Sequence, residues 1–280
     1  MSQLPIPPPL LVVDAPFFLY RAFHALPKDI KGRDGKPANA LLGSVNAILS
    51  AADERRARAV VACFGPDAAP YRKDLFDGYH ANRPPLPREL ASQWAQASRL
   101  YEALGWQVAD RDDLEADDLL ASYAAAEAKS VGQALIFTGD RDLFQCVGDR
   151  VKVLLATRGG PQMIDTAEVE RRYGVPPALV PDFIALRGDP SDGIPGARGI
   201  GERIAADILR RHGSLEAALA AASEGTVLHS GREQLLAFKE VATLRRIRVD
   251  PPPDRRLDRE AGASAARELG LNRLAKRLTG

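Results

Sequence analysis

The chain has 280 residues, of which 45% are hydrophobic and 27% charged, and its net charge is +1. That composition fits a folded globular protein of one or two domains and excludes a disordered or fibrous chain. Its only two cysteines, Cys63 and Cys146, exclude a disulfide framework and a thiolate zinc site and suit a reducing cytoplasm.

The opening MSQLPIPPPL lacks the basic and long apolar stretches of an export signal, and its proline run reads as a short extended lead-in. No apolar run is long enough for a membrane span. Short apolar runs then alternate with helical stretches. LLVV (10–13), AVVACF (59–64), WQVA (106–109), ALIFT (134–138) and VKVLL (151–155) read as strands. Helical patterning covers about 39–56, 86–104, 115–130 and 166–174. Such alternation predicts a parallel sheet covered on both faces. Residues 65–88 are rich in proline, glycine and charge and too long for a simple connection, which marks them as functional or mobile. After Gly174 the pattern is helical, broken by GDPSDGIPGARGIG (188–201), and a boundary is placed near Pro176.

Charge is unevenly spread. Residues 110–118 hold six acids and one arginine, whereas the chain from Arg245 onward holds ten Lys/Arg against five Asp/Glu. In an open α/β sheet, ligands bind beyond the carboxyl ends of the strands. Asp14 follows the first strand directly. Glu115, Asp117 and Asp118 follow WQVA, Asp140 and Asp142 follow ALIFT, and Asp189 and Asp192 lie in GDPSDG. Two like charges about 4 Å apart repel by roughly 4 kcal/mol at an effective dielectric near 20. Hard divalent cations remove that penalty, and Mg²⁺ suits the task because it keeps waters and takes few carboxylates. A pair of such ions is a clamp for phosphoryl chemistry. An Asp after a strand is also a routine cap or turn residue, and Asp113 fits the cap of the following helix.

PGARGIGERIAADILRRHGSLEAAL (195–219) reads as a helix-hairpin-helix. Gly199 and Gly201 bring backbone N–H groups close to a phosphate, and Arg198, Arg203, Arg210 and Arg211 add positive charge.

Taken in order, VVDAPFFLYRAFHALP, PYRKDLFDGYHANRPPLP, LEADDLLA, FTGDRDLFQ and GDPSDGIPGARGIGERIA resemble the 5′-nuclease domain of bacterial DNA polymerase I and the stand-alone flap endonucleases (5′–3′ exonucleases). The resemblance spans about residues 10–250. It implies a PIN-like α/β nuclease domain at 1–175, with an arch segment at about 66–90. A helical helix–three-turn–helix module and C-terminal helices would follow at 176–280.

It further implies hydrolysis of DNA near the 5′ end of flaps, nicks or branches during repair or replication, with two Mg²⁺ or Mn²⁺ ions. The matching metal ligands are Asp14, Glu115, Asp117, Asp118, Asp140, Asp142, Asp189 and Asp192. Arg21, Arg72, His80 and Arg83 would act on the phosphate at the reacting centre, together with Asp14. Tyr20, Arg21, Arg72, Lys73 and Arg83 would contact DNA. So would Arg198, Gly199, Ile200, Gly201 and Arg203, with a monovalent cation such as K⁺ at the hairpin. A soluble cytoplasmic monomer with no attached polymerase, membrane or obligate protein partner is expected.

Two positions depart from the family pattern. Gly65 stands where the family has a ligating Asp, and His80 stands where it has Lys. Hence Gly65→Asp is expected to tighten ion binding, and His80 to favour activity at mild acidity. A branched-DNA binder without turnover is the alternative function, and a phosphatase or ribonuclease of the wider PIN-like group a third.

Overall fold

A computed structural model describes residues 7–280, so the first six residues of the proline-rich lead-in lie outside it. Six strands form one sheet: β1 (Leu10–Asp14), β2 (Ala59–Cys63), β3 (Gln107–Ala109), β4 (Ala134–Thr138), β5 (Val151–Thr157) and β6 (Gly160–Ile164). Their order is β3-β2-β1-β4-β5-β6. The first five are parallel, with Leu10 opposite both Ala59 and Ala134. β6 pairs antiparallel with β5, which corrects the all-parallel expectation. It is an edge strand starting Gly160-Pro161, and an edge tolerates the missing N–H of proline.

The helices are α1 (Ala15–Ala25), α2 (Asn39–Arg55), α3 (Pro70–Leu75), α4 (Arg88–Ala103), α5 (Ala116–Lys129), α6 (Thr166–Tyr173), α7 (Val180–Arg187), α8 (Glu202–His212), α9 (Leu215–Ala220), α10 (Val227–Ser230), α11 (Arg232–Ala242), α12 (Arg259–Glu268) and α13 (Asn272–Thr279). α1 starts at once after β1 and is an addition to the predicted elements. The Asp14 carboxylate accepts the N–H of Phe17 at 3.0 Å, Pro16 fits the first turn, and Pro27 ends the run. The arch segment contains the short α3, is irregular from there to Pro87 and ends in the first turn of α4. Among the described residues no helix is long and apolar enough to cross a membrane.

Alternation along the strands builds two cores. Leu10, Val12, Val61 and Cys63 face a layer that includes α5, α7, α8 and α11. Leu11, Val13, Val60 and Ala62 face α1, α2, α4, α12 and α13. The chain from 243 to 258 has no regular structure and leads from the helical module back to the sheet domain. It is held by Arg245 N–H on Asp118, Ile247 N–H on Ser122 and Arg255 N–H on the Arg58 carbonyl. α12 and α13 therefore cover the sheet's second layer, through Ala263, Ala266, Leu274 and Leu278 against Leu104 and Tyr101.

Connections leave β1 for one neighbour and return through β4 to the other side, so the strand order reverses between them. Their carboxyl ends frame the crevice where such sheets bind ligands.

Leu274 is 1% exposed. Leu274→Ala should lower unfolding free energy by about 2–5 kcal/mol, as for buried leucines generally, and urea denaturation measures this.

Candidate active site

The crevice collects acids from three elements. Asp14 ends β1, and its second oxygen accepts the Thr138 hydroxyl from the end of β4 at 2.6 Å. The same hydroxyl accepts the N–H of Asp140 at 3.0 Å, and Asp140 Oδ1 accepts the N–H of Asp142 at 2.8 Å. Thr138, which carries no charge to draw attention in the sequence, thus orients the acids of two strand ends.

α5 begins at this edge. Glu115 is its N-cap, while Asp113 pairs with Arg111 in the preceding loop, which corrects the expected cap. Asp117 lies in the first turn, and no protein hydrogen bond to its carboxylate is present among the described residues. The Asp142 carboxylate likewise has no protein donor among the described residues. Burial pushes the Asp117 carboxyl well above the ordinary range, and the charges of Asp140, Asp14 and Glu115 add to it. Burial does the same to Asp142, with Asp140, Asp192 and Asp189. Asp140 is pushed up to about 6 by burial, opposed by the Asp142 N–H and reinforced by Asp192, Asp14 and Asp189. Asp14 is raised by burial, against its two hydrogen bonds. These acids therefore share one electrostatic neighbourhood.

Asp189 and Asp192 approach from the loop between α7 and α8, and both are engaged. Arg187 reaches Asp189 at 3.2 Å, and Ser191 donates to it through its N–H at 2.9 Å. Asp192 Oδ1 meets His80 Nε2 and Arg83, each at 3.1 Å.

Several expected roles change. Arg72 is 2% exposed. It forks onto Asp118 at 2.8 and 3.0 Å and donates to the Val241 carbonyl at 3.0 Å, so it is corrected from a phosphate contact to a buried structural cation. Asp118 is fully buried, and both its oxygens accept hydrogen bonds from Arg72 and Tyr71. His80 has a left-handed backbone (φ 53) and stacks on Tyr79 with ring centroids 3.9 Å apart. Its Nδ1 faces the Asp67 carbonyl and its Nε2 faces Asp192, so it clasps the arch root to the 188–194 loop. Asp67 itself is exposed and pairs with Arg83 at 3.0 Å.

Gly65 lies at the end of β2 against the start of α5. A Cβ there would lie 2.4 Å from the Leu114 carbonyl oxygen and 2.8 Å from Ala116 N. Backbone occupies the space a ligating side chain would need, so the expected gain from Gly65→Asp is withdrawn.

Other candidates lie outside the crevice. Arg21 donates to the Thr157 carbonyl at 2.8 Å, and exposed Tyr20 packs on His24. Lys73 is exposed on α3. In the hairpin, Gly199 has φ 78, and a Cβ at Gly199 or Gly201 would meet nothing within 4 Å. Arg198 and Arg203 are exposed beside them, and Ile200 is half-buried. This open, cationic helix start can accept a phosphate.

The model of the N-terminal, resolvase-like domain of 5′-3′ exonucleases matches residues 9–174, and that of their C-terminal SAM fold matches 175–258. The chain belongs to the 5′-3′ exonuclease family. It is a nuclease of that family, with an α/β domain carrying a mixed sheet and a helical C-terminal module. A 5′-3′ exonuclease of Mycobacterium tuberculosis is 33% identical across 96% of both chains. DNA polymerase I of Mycobacterium leprae is 36% identical over 75% of this chain, which spans only 23% of that relative's length. The fold is shared with the T5 D15 protein crystallised with metal ions, at TM-score 0.71 and 17% identity over 96% of this chain and 98% of that one. The catalytic core of Rad2 in complex with DNA substrate has TM-score 0.61 at 14% identity, over 97% and 91% of the two chains.

Among the described residues no three Asp, Glu, His or Cys side chains already enclose a point as ligands to one ion. The donor set nevertheless fits a hydrated, hard cation. It is all oxygen, and two of its carboxylates, Asp117 and Asp142, lack a protein donor. Such a set suits an ion that retains waters, as Mg²⁺ does.

The raised carboxyls carry a sign. A carboxyl raised in the folded state binds its proton more tightly there, so its stabilisation is present below the unfolded value near 3.8 and lost as pH rises through about 6 for Asp140. With EDTA present, the thermal midpoint should fall as pH climbs from 4 through 6, and millimolar Mg²⁺ should flatten that fall. A second measurement concerns Gly65→Ala, which should lose about 1–3 kcal/mol in urea denaturation, the usual cost of overpacking.

Proposed function

We propose that this chain is a structure-specific 5′-nuclease that hydrolyses DNA phosphodiesters near the 5′ end of flaps, nicks and branches. The observation that carries the reading is the set of Asp14, Asp117, Asp140 and Asp142, gathered at the strand-order reversal and all raised by burial, the last three also by neighbouring carboxylates. These four would hold two Mg²⁺ or Mn²⁺ ions, with Glu115, Asp189 and Asp192 at the margin. Bound there, the ions supply charge neutralisation at the phosphate and an acidified water.

The protein's own groups do the rest. Thr138 keeps Asp14 in place and orders the Asp140 turn. Arg83, which is 38% exposed at its side chain, can exchange its carboxylate partners for a phosphate. Arg21 and Lys73 lie exposed on α1 and α3 and can attract the strand electrostatically. The hairpin of Arg198, Gly199, Ile200, Gly201 and Arg203 grips duplex backbone without reading sequence, and a monovalent cation such as K⁺ can sit at its turn. The metal ions crystallised with the T5 D15 protein and the DNA substrate bound by the Rad2 core support the reading. The two free, buried thiols suit a reducing compartment such as the cytoplasm, and a monomer suffices for the chemistry.

The deciding experiment is cleavage of a 5′-labelled flap duplex with Mg²⁺, with Mn²⁺ and with EDTA. Cutting near the junction should require the ion and drop at least about a hundredfold in the Asp117→Asn/Asp140→Asn double variant, as when a group that stabilises the transition state is removed. Tight flap binding without cutting in either metal would assign the alternative, a branched-DNA binder without turnover.

A further inference from the structure

Arg72 joins three distant parts of the chain. It sits in α3 at the root of the arch segment. Its guanidinium forks onto Asp118 at 2.8 and 3.0 Å, lies 3.1 Å from Glu115 Oε1, and donates through Nε to the Val241 carbonyl at the end of α11. The first turn of α5, which carries the acids, is thereby fixed to the arch root and to the helical module.

The remaining lone pairs are nearly all used. Asp118 Oδ1 also takes the Arg245 N–H at 2.8 Å, and Oδ2 takes the Glu115 N–H at 3.2 Å. The Tyr71 hydroxyl reaches both oxygens at 3.0 Å. Glu115 Oε1 accepts the Ala69 N–H at 2.7 Å, and Oε2 accepts the Tyr79 hydroxyl at 2.8 Å. A carboxylate that accepts this many bonds at full burial has no room for an ion. Glu115, with two protein donors on one oxygen and one on the other, keeps only part of its capacity.

We propose that Arg72 and Tyr79 are positioning residues, which lock Glu115 and the first turn of α5 so that Asp117 keeps its place among the acids. Asp118 is then the counter-charge of Arg72 and not an ion ligand. The proposal rests on the metal-ion reading above and adds a division of labour within it. Neighbouring acids have opposite duties: Asp117 is left without donors for an ion, and Asp118 is saturated with donors to hold the frame. Partners of this outer kind tune ligand geometry, and their loss typically weakens metal binding about 10- to 100-fold.

The test is Mn²⁺ binding to the full chain without DNA, read by the electron paramagnetic resonance of free Mn²⁺, with thermal unfolding of each variant alongside. Tyr79→Phe removes one hydroxyl and no bulk. It should weaken Mn²⁺ affinity by about tenfold while the thermal midpoint moves by only a few degrees. Arg72→Lys keeps the charge but loses the fork, and should weaken affinity further at unchanged stoichiometry. Asp118→Asn should keep the full number of bound ions. Loss of one ion in Asp118→Asn would make it a ligand and overturn the proposal. So would unchanged affinity in Tyr79→Phe, which also decides the matter if Arg72→Lys fails to fold. Absence of Mn²⁺ binding by the unmodified chain would overturn the metal reading itself, an outcome distinct from the other two.

Discussion

Like charges cannot be gathered at a sheet edge unless the fold holds them there. In this chain the holding is done by hydrogen bonds that point inward from every side. Thr138 ties the ends of β1 and β4 across 124 residues of sequence, and Arg72 ties α3 to α5 across 46. Breaking a buried ion pair by removing one partner costs about 3–5 kcal/mol, because the other charge stays buried and unpaired. The frame around the acids is therefore stiff where it is paired and electrostatically tense where it is not. That contrast separates structural acids from acids available to a cation.

The same constraint explains the two departures from the family pattern. Gly65 lets the start of α5 approach the end of β2 to backbone contact. The acid-bearing turn is thus seated by close packing at the position where another member would place a carboxylate. His80 adopts a backbone conformation that costs non-glycine residues energy, and its ring is held between Tyr79, Asp67 and Asp192. Both replacements exchange a group that could face the crevice for one that fastens its walls.

Much of this was legible in the residues. Five strands, four sheet-domain helices and the glycine hairpin follow from period and turn chemistry, and Asp14, Asp117, Asp140 and Asp142 follow from their place after strands. The antiparallel β6 was not legible, because GPQMI is short and begins with two strand breakers. α1 was not anticipated, although its buried Ala15, Phe18, Leu19, Ala22 and Phe23 repeat with helical spacing and Asp14 and Pro16 form a good start signal. The buried pairing of Arg72 with Asp118 was not legible because burial is tertiary: a charged residue in a motif reads as reactive until its partners, up to 169 residues away, are known. The hydroxyls of Thr138, Tyr71 and Tyr79 share that difficulty, since a neutral donor leaves no charge pattern.

The return of α12 and α13 to the sheet gives the helical module an uncommon mechanical status. It leaves the sheet domain near residue 175 and comes back through 243–258, so two covalent tethers reinforce the core that α7, α8 and α11 share with the sheet, and the second is bonded to α5 itself through Arg245 and Ile247. A body on one linker can swivel freely, whereas a body with two tethers and a shared core moves with the sheet. A displacement of the module would reach the first turn of α5, where the acids stand, through the Arg245 N–H on Asp118.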